Sequence, residues 1–339
     1  MNKFMENRHI RIALPSKGRL ADDTLNLMGN SGLEVKKLNP RQYKAKLPAL
    51  PEVSVLFQRA SDIAVSVREG IVDFGITGLD VVHENHNKAN QILIMLEDLG
   101  FGNCQFFAIV PEANVTVNKL SDLNRLIKSG QNHLRVATKF PKLTQNFFNE
   151  HVNLDVTIIT AEGALEIAPT IGYADMITDL VSTGTTLRDN RLKILDDGLI
   201  LNSQACLIAN RQNLKSSTAV MNVAKRILEF IVAHLRAVNN VSVFANISGE
   251  SPEAVADLIL NQKIIKGLQG PTISQVITHQ REKWYAAHLI VAKSQLSDAI
   301  QELRAIGGSG VVVTPVSYIF EEEPDAYRKM LVELEKGNE

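Results

Sequence analysis

The stretch Ala174-Asp-Met-Ile-Thr-Asp-Leu-Val-Ser-Thr-Gly-Thr-Thr-Leu187 passes from an apolar run ending at Asp179, through a loop of small hydroxyl residues, into a helix-forming segment. A strand that turns through small residues into a helix is the repeating unit of an α/β sheet. The loop also carries chemistry. Gly184 tolerates φ > 0 and lets the backbone come close to a ligand. The N–H groups of Ser182, Thr183, Gly184, Thr185 and Thr186, with the neighbouring hydroxyls, can surround a phosphate, and a helix N-terminus there adds a favourable dipole. Asp179 stands at the strand end, placed to accept hydrogen bonds from two adjacent ribose hydroxyls. A phosphate beside a vicinal diol is a ribose 5-phosphate. The plainer reading is a Ser/Thr-rich turn that caps a helix. The stretch is neither a Walker loop nor a Gly-x-Gly-x-x-Gly fingerprint.

The alternation extends in both directions from this stretch. Apolar and β-branched runs at Ile10–Leu14, Val53–Phe57, Val72–Ile76, Ile92–Leu96, Gln105–Val110, Leu134–Thr138, Val156–Thr160, Ala174–Thr178 and Ala205–Ala209 read as strands. Helix starts between them are marked by Asp22 or Asp23, by Ser121 and by Pro141. This spacing predicts parallel sheets built by right-handed crossovers. Gly100-Phe-Gly-Asn103 reads as a hinge between two smaller sheets, and the run Gly198–Ala209 as the return to the first. The lobes expected are 1–103 with 195–225, and 104–194. A ligand cleft should lie between them, at the carboxyl ends of the strands.

Beyond Ser216 the texture changes. Val220, Val223, Ile227, Phe230, Ile231 and Leu235 form a helical stripe within Ser217–Val238. An alternating strand, Val241–Ile247, follows, and Ser251-Pro-Glu253 opens a helix through Leu260 with an N-cap and a first-turn Pro. Strands at Thr272–Thr278 and Trp284–Lys293 flank the polar Gln280-Arg-Glu-Lys283. Ser294 caps a helix ending at Gly307-Gly308, and Val311–Thr314 precedes a polar tail. The order β-α-β-β-α-β is the ferredoxin-like arrangement. Residues 226–339 thus form a C-terminal domain with no catalytic constellation, suited to regulation or assembly.

Composition narrows the function classes. The 339 residues are 45% hydrophobic and 22% charged, a globular balance that is too long for one ordinary core. Lys plus Arg (36) nearly cancels Asp plus Glu (37), so neither nucleic acid nor an anionic membrane is expected as the main partner. Cys104 and Cys206 sit in apolar surroundings and read as two buried thiols. The N-terminal segment lacks the apolar core of a signal peptide, and no run approaches the roughly 18 apolar residues of a membrane span. The expected location is the cytoplasm.

In this neutral chain two basic turns stand out. Leu14-Pro-Ser-Lys-Gly-Arg-Leu20 puts Lys17 and Arg19 at a glycine turn after the first strand. Cations at a helix start oppose its dipole, which favours an anion-binding role over two solvated charges. Arg grips phosphate oxygens bidentately, and Lys adds a compact charge. Arg59 in Gln58-Arg-Ala-Ser-Asp-Ile63 and Asp80 in Gly70-Ile-Val-Asp-Phe-Gly-Ile-Thr-Gly-Leu-Asp80 follow two further strands; Asp80 reads equally as a helix N-cap. The eight His form no His-Glu-x-x-His pattern, and no nucleophile elbow is present.

Asp179-Leu-Val-Ser-Thr-Gly-Thr-Thr186 resembles the phosphoribosyl pyrophosphate loop of the ATP phosphoribosyltransferase family. So do Gly163-Ala-Leu-Glu-Ile-Ala-Pro169 and the Pro15-Ser-Lys-Gly-Arg-Leu20 turn. Gly270-Pro-Thr-Ile-Ser274 and Ile306-Gly-Gly-Ser-Gly-Val-Val-Val313 resemble the histidine-responsive domain of the family's long form. The resemblance implies an α/β fold with a two-lobed, periplasmic-binding-protein-like catalytic core and a C-terminal ferredoxin-like (ACT-like) α+β regulatory domain. It implies transfer of the 5-phosphoribosyl group to N1 of ATP with release of pyrophosphate, inhibited by histidine. By the same resemblance Glu166 and Asp179 contact the ribose, Ser182, Thr183, Gly184, Thr185 and Thr186 hold the 5-phosphate, and Lys17, Arg19, Arg59 and Asp80 face ATP. Lys17, Arg19, Glu166 and Asp179 form the expected catalytic set. With no protein metal ligands evident, Mg²⁺ is expected to arrive on the substrate phosphates. The family further implies a homo-oligomer, from dimer to hexamer. A two-lobed small-anion binding protein and a non-catalytic regulatory subunit remain as alternatives on the sequence alone.

Overall fold

A computed structural model describes residues 9–37, 39, 42–85, 90–127, 133–152, 154–267, 270–277 and 283–336. In chain order its strands are β1 (Ile10–Pro15), β2 (Lys44–Lys46), β3 (Val53–Gln58), β4 (Phe74–Gly78), β5 (Ile92–Leu96), β6 (Cys104–Pro111), β7 (Leu134–Thr138) and β8 (Val156–Thr160). They continue with β9 (Met176–Val181), β10 (Leu192–Ser203), β11 (Ala205–Asn210), β12 (Asn240–Ser248), β13 (Thr272–Val276), β14 (Trp284–Ala292) and β15 (Ser309–Pro315). The sheet of the first lobe runs β2-β3-β1-β4-β11-β5 and that of the second β10-β6-β9-β7-β8; the third sheet runs β13-β14-β12-β15.

The first two sheets are mixed, not wholly parallel. β1 pairs in parallel with β3 and β4, and β7 with β8 and β9. β11, however, runs against β4 and β5, and β6 against β9 and β10. The reason is geometric. A chain that crosses between lobes enters the new sheet at the carboxyl ends of its strands, so it must run back against them.

The crossings themselves are short. The outward one is Gly100–Asn103, with Gly100 at φ 79° and Gly102 at φ 73°, a region that favours glycine. A Cβ on Gly102 would also lie 2.4 Å from Leu20 Cδ2. The return falls at Gln204 rather than near residue 195, because β10 stays paired with β6 as far as Ser203 opposite Cys104. Ala205 N–H donates to Phe101 O and Leu99 N–H to Ala205 O, both at 3.0 Å, so the two crossings brace each other. Asp196-Asp-Gly198 gives β10 a turn-like sequence in its middle. The structure absorbs it as a register shift between Ile194 and Leu199, with Asp197 Oδ1 accepting from Leu120 N–H at 2.8 Å.

The chain forms two compact units, Met1–Gly29, Leu33–Leu228 and Asp325–Glu339 in one, Asn30–Gly32 and Glu229–Pro324 in the other. The second contains the antiparallel β13-β14-β12-β15 sheet, the ferredoxin-like order. One face of it buries Val243, Ala245, Ile247, Ala287 and Leu289 against the core shared with Val255, Ile259, Ala299 and Leu303 of its helices. Ser251 Oγ accepts from Ala254 N–H at 3.2 Å, the N-cap read from the sequence. Ser294 does not cap the next helix: a 3₁₀ turn, Lys293–Gln295, intervenes, and Gln295 is the N-cap. Thr278, most of the polar turn at 280–283 and the first eight residues lie outside the described residues. The polar tail is in fact a helix, Asp325–Lys336, which buries Met330 and Leu334 and packs on β5 in the first unit. Among the described residues no helix is long and apolar enough to cross a membrane.

Candidate functional site

In the second lobe β9 leads straight into the hydroxyl loop. Ser182, Thr183, Thr185 and Thr186 are exposed, and Thr183 Oγ1 lies 3.2 Å from Thr185 Oγ1. Gly184 has φ 71°, the left-handed conformation that the loop needs to aim its N–H groups outward. Leu187, buried, pins the following helix to the core. That helix, Thr185–Asp189, is only five residues long, so it offers first-turn N–H groups more than a sizeable dipole.

Asp179 leaves β9 half-buried, with Oδ1 accepting from Leu180 N–H at 2.8 Å. Burial is the main cause that pushes its carboxyl up to about 6; the Glu166 carboxylate adds to this, while the Leu180 N–H and the Lys139 cation oppose it. Glu166 sits on a 3₁₀ turn, Leu165–Ile167, that touches β9. Lys139 was not singled out in the sequence. The parallel register that pairs Thr138 with Thr178 sets Lys139, just past the end of β7, beside Asp179 within β9. Below them the buried hydroxyls of Thr138, Thr144 and Thr178 bond one another at 2.7 to 3.0 Å, fixing both strand ends.

In the first lobe the β1–β3 register sets Pro15 opposite Gln58, and Ser16 N–H donates to Gln58 O at 2.7 Å. The turn bearing Lys17 and Arg19 therefore neighbours Arg59. Lys17 and Arg59 are exposed, and their side chains have no hydrogen bond or ion pair among the described residues. Arg19 is engaged: its guanidinium donates to Gly102 O in the outward crossing and lies 3.4 Å from Asp80 Oδ1. Asp80 is 2% exposed and is not a cap; the helix Leu79–Glu84 starts from Gly78, and Asp80 is its second residue. Its carboxylate accepts from Ser203 Oγ instead, at 2.6 Å. Ser203, too, went unnoticed in the sequence.

At the hinge, between Asp98 and Asn103 on one side and Gln105, Ser182, Asn202 and Gln204 on the other, lies a pocket of about 430 Å³. Amides and hydroxyls line it, so it suits a polar ligand. No hydrogen bond or ion pair among the described residues links Lys17, Arg19, Arg59 or Asp80 to Glu166, Asp179 or the 182–186 loop. They form two separate groups, one on each of the two sheets. Cys104 and Cys206 are buried and unpaired, and burial pushes both thiols up. Among the described residues no group of three or more His, Cys, Asp or Glu could hold a metal ion.

The fold defines a two-sheet α/β protein with a ferredoxin-like domain in addition. The family described as HisG, ATP phosphoribosyltransferase, matches residues 59–229, and the HisG C-terminal domain matches 216–318. ATP phosphoribosyltransferase 1, chloroplastic, of Arabidopsis thaliana is 41% identical over 337 residues, covering 97% of this chain and 82% of its own. The ATP phosphoribosyltransferase of Methanothermobacter thermautotrophicus is 33% identical over 310 residues, covering 91% and 99%. A solved structure, the ATP phosphoribosyl transferase (HisG:HisZ) complex from Thermotoga maritima, matches in fold with a TM-score of 0.52 at 24% identity, over 66% of this chain and 98% of that one. The chain belongs to the ATP phosphoribosyltransferase family, pentosyltransferase enzymes of histidine biosynthesis.

Proposed function

We propose that the cleft transfers the 5-phosphoribosyl group of phosphoribosyl pyrophosphate to N1 of ATP, releasing pyrophosphate. The observation that carries this reading is the Glu166–Asp179 pair beside a left-handed Gly184 loop in a chain whose first lobe carries two cationic turns. Ser182 to Thr186 hold the 5-phosphate through N–H and hydroxyl donors. Asp179 and Glu166 accept from the ribose hydroxyls and present negative charge as C1 gains oxocarbenium character. Arg19, Lys17 and Arg59 neutralise the polyphosphates, and Asp80 contacts ATP. Adenine N1 carries no proton at neutral pH, so no general base is needed. Catalysis is then positioning plus electrostatics. The carboxylate oxygens of Glu166 and Asp179 suit a Mg²⁺ carried on substrate phosphates, where it supplies charge neutralisation. Histidine acts through the ferredoxin-like domain, in a homo-oligomer of two to six copies in a reducing compartment.

The test is pyrophosphate release from ATP, phosphoribosyl pyrophosphate and Mg²⁺, with and without histidine. Release that histidine suppresses supports both catalysis and feedback. Release that ignores histidine removes the feedback reading, and no release from folded protein removes the reaction. The loop has its own test. A Cβ at Gly184 would meet nothing closer than Val181 Cγ1 at 3.9 Å, so lack of space does not bar a side chain there. The backbone conformation opposes one: the β-branched residue of Gly184→Val costs about 1–3 kcal/mol there. Initial-rate kinetics should show KM for phosphoribosyl pyrophosphate raised about tenfold or more, with KM for ATP unchanged.

A further inference from the structure

The return crossing does more than join the lobes. The helix Leu79–Glu84 has glycine at its N-cap, so its own segment offers no side chain to the first N–H groups. They are satisfied from the crossing instead: Gln204 O accepts from Leu79 N–H at 2.9 Å, and Ser203 Oγ from Asp80 N–H at 3.0 Å. The same Oγ donates its proton to Asp80 Oδ1 at 2.6 Å, the usual length of a charge-assisted bond from a hydroxyl to a carboxylate. A hydroxyl has one proton to give, so the two bonds fix its orientation. Ser203 and Asp80 are each 2% exposed, so little of either side chain meets bulk solvent. Oδ1 thus serves Ser203 and Arg19, while Oδ2 accepts nothing among the described residues.

We propose that Ser203 is a positioning residue of the transferase, holding the Asp80 carboxylate so that Oδ1 keeps Arg19 at the hinge and Oδ2 is left for ATP. This rests on the reading that Arg19 and Asp80 serve ATP. Ser203 ends β10, which pairs with β6, which pairs in turn with β9 of the ribose-phosphate loop. One hydroxyl therefore ties the ATP half-site to the sheet that carries the other half-site.

The experiment is steady-state kinetics on full-length protein with Mg²⁺, varying ATP and phosphoribosyl pyrophosphate separately. The variants are Ser203→Ala, Ser203→Cys, Ser203→Thr, Asp80→Asn and the Ser203→Ala/Asp80→Asn double. Ser203→Ala and Ser203→Cys should lower kcat/KM for ATP about 10- to 100-fold, with KM for phosphoribosyl pyrophosphate within about twofold. Ser203→Thr, which keeps the hydroxyl, should recover most of the loss. If Ser203 acts through Asp80, the double variant should be no more than about twofold worse than Asp80→Asn. Losses that multiply in the double variant overturn the proposal, as does an unchanged kcat/KM for ATP in Ser203→Ala or an equal fall for both substrates. Should Ser203→Ala not fold, the near-isosteric Ser203→Cys, a weak donor, decides the same question. A wild type that releases no pyrophosphate overturns the ATP reading and this proposal with it; an active wild type beside an indifferent Ser203→Ala overturns this proposal alone.

Discussion

Asp179→Asn is expected to cut turnover by about 10²- to 10³-fold and, above pH 6, to make the protein more stable. Both effects come from the same burial. The folded chain raises this carboxyl from 3.8 to about 6, chiefly by desolvation. The folded state therefore holds the proton more tightly than the unfolded chain does. The sign follows: that contribution to stability is fully present below about pH 4 and is lost as the pH rises through about 6. With partial exposure discounted, the charged carboxylate costs on the order of 2 kcal/mol at pH 8. An amide carries no such cost. Thermal unfolding should give similar midpoints for variant and wild type at pH 4, and a variant midpoint about 4–8 °C higher at pH 8. Equal midpoints at pH 8 would remove the burial argument. The loss of turnover has a separate cause: an amide oxygen cannot supply the charge or the second acceptor that a vicinal diol asks for. Wild-type kcat/KM for phosphoribosyl pyrophosphate should also fall as the pH drops through about 6, where Asp179 takes up its proton.

How much of this was legible in the sequence depends on distance along the chain. The 182–186 loop, Gly184, and the Lys17 and Arg19 turn were readable because residue type and turn chemistry lie within a few positions. Lys139 and Ser203 were not, since their meaning comes from register. Lys139 matters because β7 lies beside β9, and Ser203 because β10 follows β6 back to the hinge. Neither pairing has a local sign, and Asp196-Asp-Gly198 disguises β10 as a turn. Asp80 was open between an N-cap and a ligand contact; the helix start at Gly78 and the placement of Ser203 and Arg19 against the Asp80 carboxylate decide against the cap. The last helix is a different case. Tyr327, Met330, Leu331 and Leu334 follow helical spacing, but a mostly polar composition masks the stripe.

That helix supports the second large prediction. Arg211, 9% exposed, donates through Nε to Asn90 O at 2.9 Å and through its terminal nitrogen to Glu333 O and Leu334 O. It thereby takes up carbonyls of the last turn, which have no partner within the helix. Met330 at 1% and Leu334 at 7% exposure complete the seal over β5. Deleting 325–339 would uncover these contacts and leave the Arg211 guanidinium with only Asn90 O of its three acceptors. Two large apolar groups and two lost hydrogen bonds from a cation together amount to on the order of 5 kcal/mol, a large share of a domain's stability. The unfolding midpoint should fall by about 10–20 °C, and Arg211→Ala alone should account for roughly a third of the drop. A deletion variant melting within about 2 °C of the wild type would show that the helix only rests on the sheet. The result also governs how feedback is tested. Cutting the chain after Asn239 removes the ferredoxin-like domain and this helix together, so lost turnover in that truncation would report a weakened first unit as readily as a missing regulator. A variant that loses 325–339 alone separates the two, because it keeps the ferredoxin-like sheet, and any histidine response with it.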